Sequence, residues 1–239
     1  MFKTHAFLLI LLLVLCTGCK EKIKHDDHFV IYQVNPKTQN IKFYWKNNRN
    51  ETLKSIEHLK NEVESGNEKL IFAMNGGMFE PDNSPKGLYI ENFKILKSID
   101  TLNGSGNFYL PPNGIFYITK DNQAGIVETK KYKQNTATRY ATQSGPMLLI
   151  NGKINPIFKE DSKNLNIRNG VGISENGDVI FAMSKKEINF HNLAQLFKEM
   201  GCKNALYLDG FVSRTYLPEK NWIQKDGNFG VIIGITAPQ

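Results

Sequence analysis

The sequence predicts a single α+β domain with a mixed, largely antiparallel sheet covered by two amphipathic helices. Short apolar runs recur through the middle of the chain, divided by Asn, Gly and Asp turn residues. Helical spacing of apolar residues is confined to one segment after Glu51 and one after Asn189. The roughly 210 residues beyond an N-terminal leader suffice for one hydrophobic core.

The leader comes first. Lys3 followed by the apolar run Ala6 to Leu15 is a charged n-region and an h-region, too short to span a bilayer as a mature helix. It ends in Leu15-Cys16-Thr17-Gly18-Cys19, which resembles a bacterial lipoprotein signal. The expectation is a signal peptide over 1–18, lipidation at Cys19, export, and a membrane contact through that lipid in the cell envelope. Residues 19–28, with Lys20 to His28 charged and aperiodic, read as a flexible tether. His25 and His28 flank two aspartates there, a weak metal pattern in a short polar stretch. Loss of Cys16 and lipidation of Cys19 leave Cys202 unable to close an intramolecular bridge, so the domain over 29–239 has to stand on its core. The formal net charge of +7 falls by one with Lys3, and only Lys130, Lys131 and Lys133 cluster. So modest an excess suits a solvated face or an anionic glycan, and no aromatic-basic pattern points to nucleic acid.

The elements follow in order. Phe29 to Val34 and Ile41 to Trp45 are apolar runs separated by Asn35 to Asn40, a turn composition that predicts a hairpin. Ile56, Leu59 and Val63 give helical spacing closed by Gly66, and a strand Leu70 to Met74 comes next. After Gly87 the expected strands are Leu88 to Glu91, Gly114 to Thr119, Gly125 to Glu128, Pro146 to Ile150, Gly170 to Ser174 and Val179 to Met183. Asn151-Gly152 and Glu175 to Asp178 carry the residues that tight hairpin turns demand. Asn103 to Asn107 reads as a glycine-rich rim loop and Asn135 to Thr142 as a polar segment bordering a site. Leu193, Leu196, Phe197 and Met200 mark the second helix, with Asn189 as N-cap and Gly201 as terminator. A buried strand Ala205 to Leu208 and a last one, Gly230 to Thr236, complete the set.

The chemistry gathers where strands run out. Ala205 to Leu208 delivers Asp209 onto Gly210, with Ser213 close behind. The Leu70 strand ends in Asn75-Gly76-Gly77, whose backbone N–H groups could cradle an anion. Ser144-Gly145-Pro146 is another small-residue turn ahead of a buried run. Arg168 precedes the Val171 strand, where a planar guanidinium is a natural clamp for phosphate or carboxylate. No P-loop, metal-ligand spacing or cofactor motif is present.

In chain order these landmarks resemble the phosphodiester glycosidase domain family. They are Asn75-Gly76-Gly77-Met78-Phe79, Ser144-Gly145-Pro146-Met147-Leu148-Leu149 with Asn151-Gly152, Arg168 ahead of Val171-Gly172-Ile173, the helix after Ile188-Asn189, and Asn204 to Gly210. The resemblance spans roughly Leu70 to Ile235. It implies hydrolysis of the bond between an α-linked N-acetylglucosamine and a phosphodiester-linked group, so the expected partner is a sugar phosphodiester or related anionic glycan. Carried across by position, the family's polar site residues fall on Asn75, Arg168, Asp209 and Ser213. Asp209 is then the carboxylate catalyst and Arg168 the phosphate clamp. Gly76, Gly77, Gly145, Gly210 and Ser213 line the substrate, and Glu80 and Asp82 are candidates for a second carboxyl group. Phe211 and Val212 stand where the family's better-known members have glycines, and Asn169 stands where Thr is usual. The expected consequence is a reshaped pocket. A non-catalytic glycan-binding protein on the same fold is the alternative.

Overall fold

The computed structural model describes residues 27–209 and 211–239. The leader, Cys19, nearly all of the expected tether and Gly210 lie outside the described residues. No helix among the described residues is long and apolar enough to cross a membrane.

The chain runs β1 (Phe29–Val34), β2 (Ile41–Tyr44), α1 (Ile56–Ser65), β3 (Glu68–Asn75), β4 (Tyr89–Glu91), β5 (Lys94–Lys97), β6 (Gly114–Thr119), β7 (Ala124–Glu128) and β8 (Thr138–Ser144). It continues through β9 (Met147–Ile150), β10 (Lys153–Ile154), β11 (Asn169–Ser174), β12 (Val179–Ser184), α2 (Phe190–Glu199), β13 (Cys202–Tyr207), β14 (Thr215–Leu217), β15 (Trp222–Ile223) and β16 (Ile232–Pro238). Among the described residues the strands form three sheets in the orders β1-β12-β11-β13-β9-β10, β15-β14-β3-β16-β2 and β5-β4-β8-β6-β7. Neighbours pair antiparallel throughout. The α+β class therefore stands, with three sheets in place of one.

The sheets share a core because each turns an apolar face inward. Tyr32 and Phe181 from the first sheet meet Phe72 and Phe43 from the second and Phe116 and Tyr140 from the third. Ring centroids 4.8 Å apart for Tyr32–Phe72 and 5.0 Å for Phe72–Phe181 put the contact in the favourable range for aromatic pairs. The outer face of the first sheet is covered by α2 through Phe190, Leu193, Leu196 and Phe197, each large side chain contributing about 1.5–3 kcal/mol on burial. Helix α1 covers the second sheet with Ile56, Leu59 and Val63. Both helices start at side-chain caps: the Ser55 hydroxyl accepts from His58 N and the Asn189 amide oxygen from Asn192 N.

Two expectations fail for stated reasons. The runs flanking Asn35 to Asn40 do not pair with each other: β1 pairs with β12, while β2 pairs with β16 in another sheet. The turn is real, with Thr38 and Gln39 donating to the Asn35 carbonyl, and it carries the chain from sheet to sheet. The polar segment 135–142 contains most of β8, which runs between β4 and β6. In that strand Thr138, Thr142, Gln143 and Ser144 are buried, and Gln143 donates to the Asp100 carbonyl at 2.6 Å and accepts from Leu88 N at 2.9 Å.

Candidate functional site

Three strand ends converge where the chain leaves the first sheet for the second. β3 ends at Asn75, β11 begins at Asn169, and β13 runs out at Tyr207, two residues before Asp209. From Asp209 the chain crosses to β14, which pairs with β3. Both asparagines are fully buried, so their amides need partners, and those partners define the site.

Asn169 is the hub. Its Nδ2 donates to the Asn75 carbonyl and to Asn75 Oδ1, each at 3.0 Å. Its Oδ1 accepts from the Asp209 backbone N–H at 3.0 Å and from the Ser213 hydroxyl at 3.3 Å. Asn75 Nδ2 donates to the Asp209 carbonyl and Asn75 Oδ1 accepts from Arg214 N, both at 3.0 Å. The Ser213 hydroxyl shares its one proton, with the Asp209 carbonyl at 2.9 Å the nearest acceptor. One residue upstream, the Ser144 hydroxyl donates to the Leu208 carbonyl at 2.7 Å. The backbone around Asp209 is thus held from several sides while its side chain is partly exposed.

The Asp209 carboxyl is pushed up from 3.8 to about 6 by burial, offset in part by the Phe211 N–H that donates to Oδ1 at 3.2 Å. The Arg214 guanidinium is turned away, its Nε on both oxygens of Asp226 at 2.8 and 2.9 Å. A partly solvated carboxyl that exchanges its proton near neutrality is suited to general acid or base work.

The other expected residues are placed as follows. Asn75 and Ser213 do join Asp209, but as supports whose hydrogen bonds go to backbone and to Asn169. Arg168 is fully buried on the opposite face of its strand, as the alternation of side chains requires with Asn169 facing Asn75. Its Nε donates to the Ile188 carbonyl at 2.8 Å, its Nη2 to Asn164 O and Oδ1 at 2.9 and 3.1 Å, and its Nη1 to the Tyr207 hydroxyl at 3.4 Å. The guanidinium lies 3.7 Å from the Phe190 ring centroid. It therefore offers no open fork to a ligand in this structure, and ties the 164–168 segment to the start of α2.

The glycines act by close approach. Gly76 donates its N–H to the Val231 carbonyl at 2.8 Å, so that amide is not turned to an anion, and a Cβ there would lie 2.6 Å from Ile233 Cγ1. A Cβ on Gly77 would meet Thr142 Oγ1 at 2.6 Å, and one on Gly145 would meet the Phe108 carbonyl at 2.7 Å. Gly210 lies outside the described residues. Glu80 sits in a turn and pairs with Lys86 at 3.2 Å, while exposed Asp82 is held below the usual carboxylate range by the Ser84 hydroxyl and by the Ser84 N–H it accepts at 2.9 Å. Among the described residues neither is hydrogen-bonded to Asp209. Among the described residues no cluster of His, Cys, Asp and Glu is placed to hold a metal ion.

Asn169 is the residue that sequence reasoning passed over, noting it only as a departure after Arg168. The signal was available: Asn169-Gly170 at a strand start mirrors Asn75-Gly76 at a strand end. Phe211, expected with Val212 to reshape the pocket, is 91% exposed immediately beyond the site.

The chain is 37% identical over 187 residues to the uncharacterized protein YigE of Escherichia coli (strain K12), covering 78% of this chain and 73% of that one. Its fold is similar to the zebrafish N-acetylglucosamine-1-phosphodiester alpha-N-acetylglucosaminidase catalytic domain auto-inhibited by pro-peptide, with a TM-score of 0.61, 15% identity and coverage of 87% of this chain and 81% of that one. A Burkholderia pseudomallei K96243 protein gives a TM-score of 0.58 at 8% identity over 87% and 73% of the two chains. Residues 68–234 match the phosphodiester glycosidase family model. That span takes in all three converging strand ends and the crossover carrying Asp209, and the chain belongs to the phosphodiester glycosidase family.

Proposed function

We propose that this protein is an exported hydrolase that cleaves the glycosidic bond of a sugar-1-phosphodiester or a related anionic glycan. The observation that carries the reading is Asp209, a partly exposed carboxyl raised to about 6 and set on a backbone pinned by Asn75, Asn169 and Ser213. Ionised Asp209 would attack the anomeric carbon or activate water against it. The departing group is a phosphate monoester, which carries its own negative charge and needs less protonation than an alcohol, so one carboxylate can suffice where ordinary glycosidases use two. In this reading Asn75, Ser213 and Arg168 are positioning residues. The sugar identity named for the zebrafish relative is the first to try.

The family match and the carboxyl support hydrolysis. A glycan-binding module on the same fold is the second reading, favoured by the fully enclosed Arg168, which leaves no arginine fork at the phosphate position. Purified protein incubated with a panel of sugar-1-phosphodiesters separates the two. Turnover that falls in Asp209→Asn supports hydrolysis, whereas binding without turnover supports the module.

We further propose that the leader is removed and that Cys19 carries the lipid anchoring the domain to a bacterial membrane in the cell envelope. Cys19→Ala is expected to move the protein from the membrane to the soluble fraction, and mass spectrometry of the N-terminal peptide reads the lipid directly.

A further inference from the structure

A cleft of about 440 Å³ is lined by Tyr109, Pro111, Pro112, Asn113, Lys130 and Ile157 among others. Its size falls in the range of small-molecule pockets. Its frame is built: buried Asn155 donates to the Pro111 carbonyl at 3.2 Å and to the Met147 carbonyl at 3.0 Å, and Tyr109 donates its hydroxyl to Asp100 Oδ2 at 2.8 Å. Leu102, 74% exposed, and Ile157, 43% exposed, add apolar surface to this lining.

We infer that this cleft is a second carbohydrate site, taking a sugar ring that carries phosphate or carboxylate. Proline, leucine and isoleucine surfaces with one tyrosine ring fit the C–H face of a pyranose, whose polar edge then needs donors and acceptors. Asn113 supplies both, its side-chain amide making no hydrogen bond among the described residues. Beside the Asp100 carboxylate, already engaged by the Tyr109 hydroxyl and the Leu102 N–H, the lining offers one cation to an anionic substituent. Glu128 in the lining is neutralised by Lys131 at 2.5 Å, while Lys130 makes no ion pair among the described residues. The cleft adjoins the Asp209 support: Gly145 packs against Asn113 and the Phe108 carbonyl, and its neighbour Ser144 holds the Leu208 carbonyl. The site stands on this lining and does not depend on hydrolysis at Asp209.

The test uses the full chain purified in mild detergent and ligand-observed NMR with N-acetylglucosamine-1-phosphate, glucuronate and neutral N-acetylglucosamine as probes. Lys130→Glu and Leu102→Asp change exposed side chains and leave the fold intact by circular dichroism. The two anionic probes are expected to bind more tightly than the neutral sugar. Affinity should fall about tenfold or more in Lys130→Glu, the scale of one charge-assisted contact. It should also fall in Leu102→Asp and hold in Asp209→Asn. Equal binding of charged and neutral sugars overturns the inference, as does absence of binding. Binding lost in Asp209→Asn but indifferent to Lys130→Glu places the ligand at the other site and overturns it too.

Discussion

Replacing Asp209 by Asn is expected to make the protein more stable and less active, and the stability gain should depend on pH. The native carboxyl keeps its proton up to about pH 6, whereas its ordinary value is 3.8. Between those values the folded chain binds more protons than the unfolded one, so stability falls as pH rises through the window and levels off above it. The gap corresponds to about 3 kcal/mol against folding once the group is ionised in both states. Asparagine removes that cost and keeps an Oδ1 to accept the Phe211 N–H. Urea unfolding of the purified proteins at pH 8 should therefore show the variant ahead by up to about 3 kcal/mol, and at pH 4 the lead should be nearly gone. Turnover of a sugar-1-phosphodiester should drop by about 10²- to 10⁴-fold. A variant no more stable than the parent at pH 8, or a lead that does not shrink in acid, would refute burial as the source of the raised pKa.

Arg168→Ala should destabilise by about 3–5 kcal/mol, because it strands the Ile188 and Asn164 carbonyls and removes the stack on Phe190; chemical denaturation measures it, and full stability with lost phosphate affinity would restore the clamp. Asn169→Ala takes the acceptor from the Asp209 N–H and removes the amide contacts to Asn75, for a loss of about 1–3 kcal/mol in the same assay. Gly145→Ala forces a Cβ to within 2.7 Å of the Phe108 carbonyl and should cost about 1–3 kcal/mol, seen as a lowered Tm. Glu80→Gln removes only a surface pair with Lys86 and should leave stability within about 1 kcal/mol; steady-state turnover that collapses in this variant would make Glu80 the second carboxyl group.

Asp209 was legible because an apolar run ending in Asp-Gly states where a strand stops and a charge begins. The two helices were legible from spacing and caps. Strand β8 was not, since Thr138, Thr142, Gln143 and Ser144 are buried polar residues, and the partners of Gln143 and Ser144 lie far along the chain. The role of Arg168 was hidden for a geometric reason. Adjacent strand residues face opposite ways, and local sequence does not say whether 168 or 169 looks toward Asp209. Here Asn169 does, and the arginine is turned onto Phe190. The Asn35 to Asn40 turn shows the same limit: its composition specifies a reversal, and partner choice belongs to the whole sandwich.

The two amides of Asn75 and Asn169 grip Asp209 and Arg214 through their main chains, closing both ends of a short bridge. Between those anchors Ser213 is turned inward onto the Asp209 carbonyl, while Phe211 points outward. Such a span is an interchangeable fitting: its outward residue can be exchanged without loosening the carboxyl it adjoins. A library randomised at that one position would sample new substrate preferences on an unchanged scaffold.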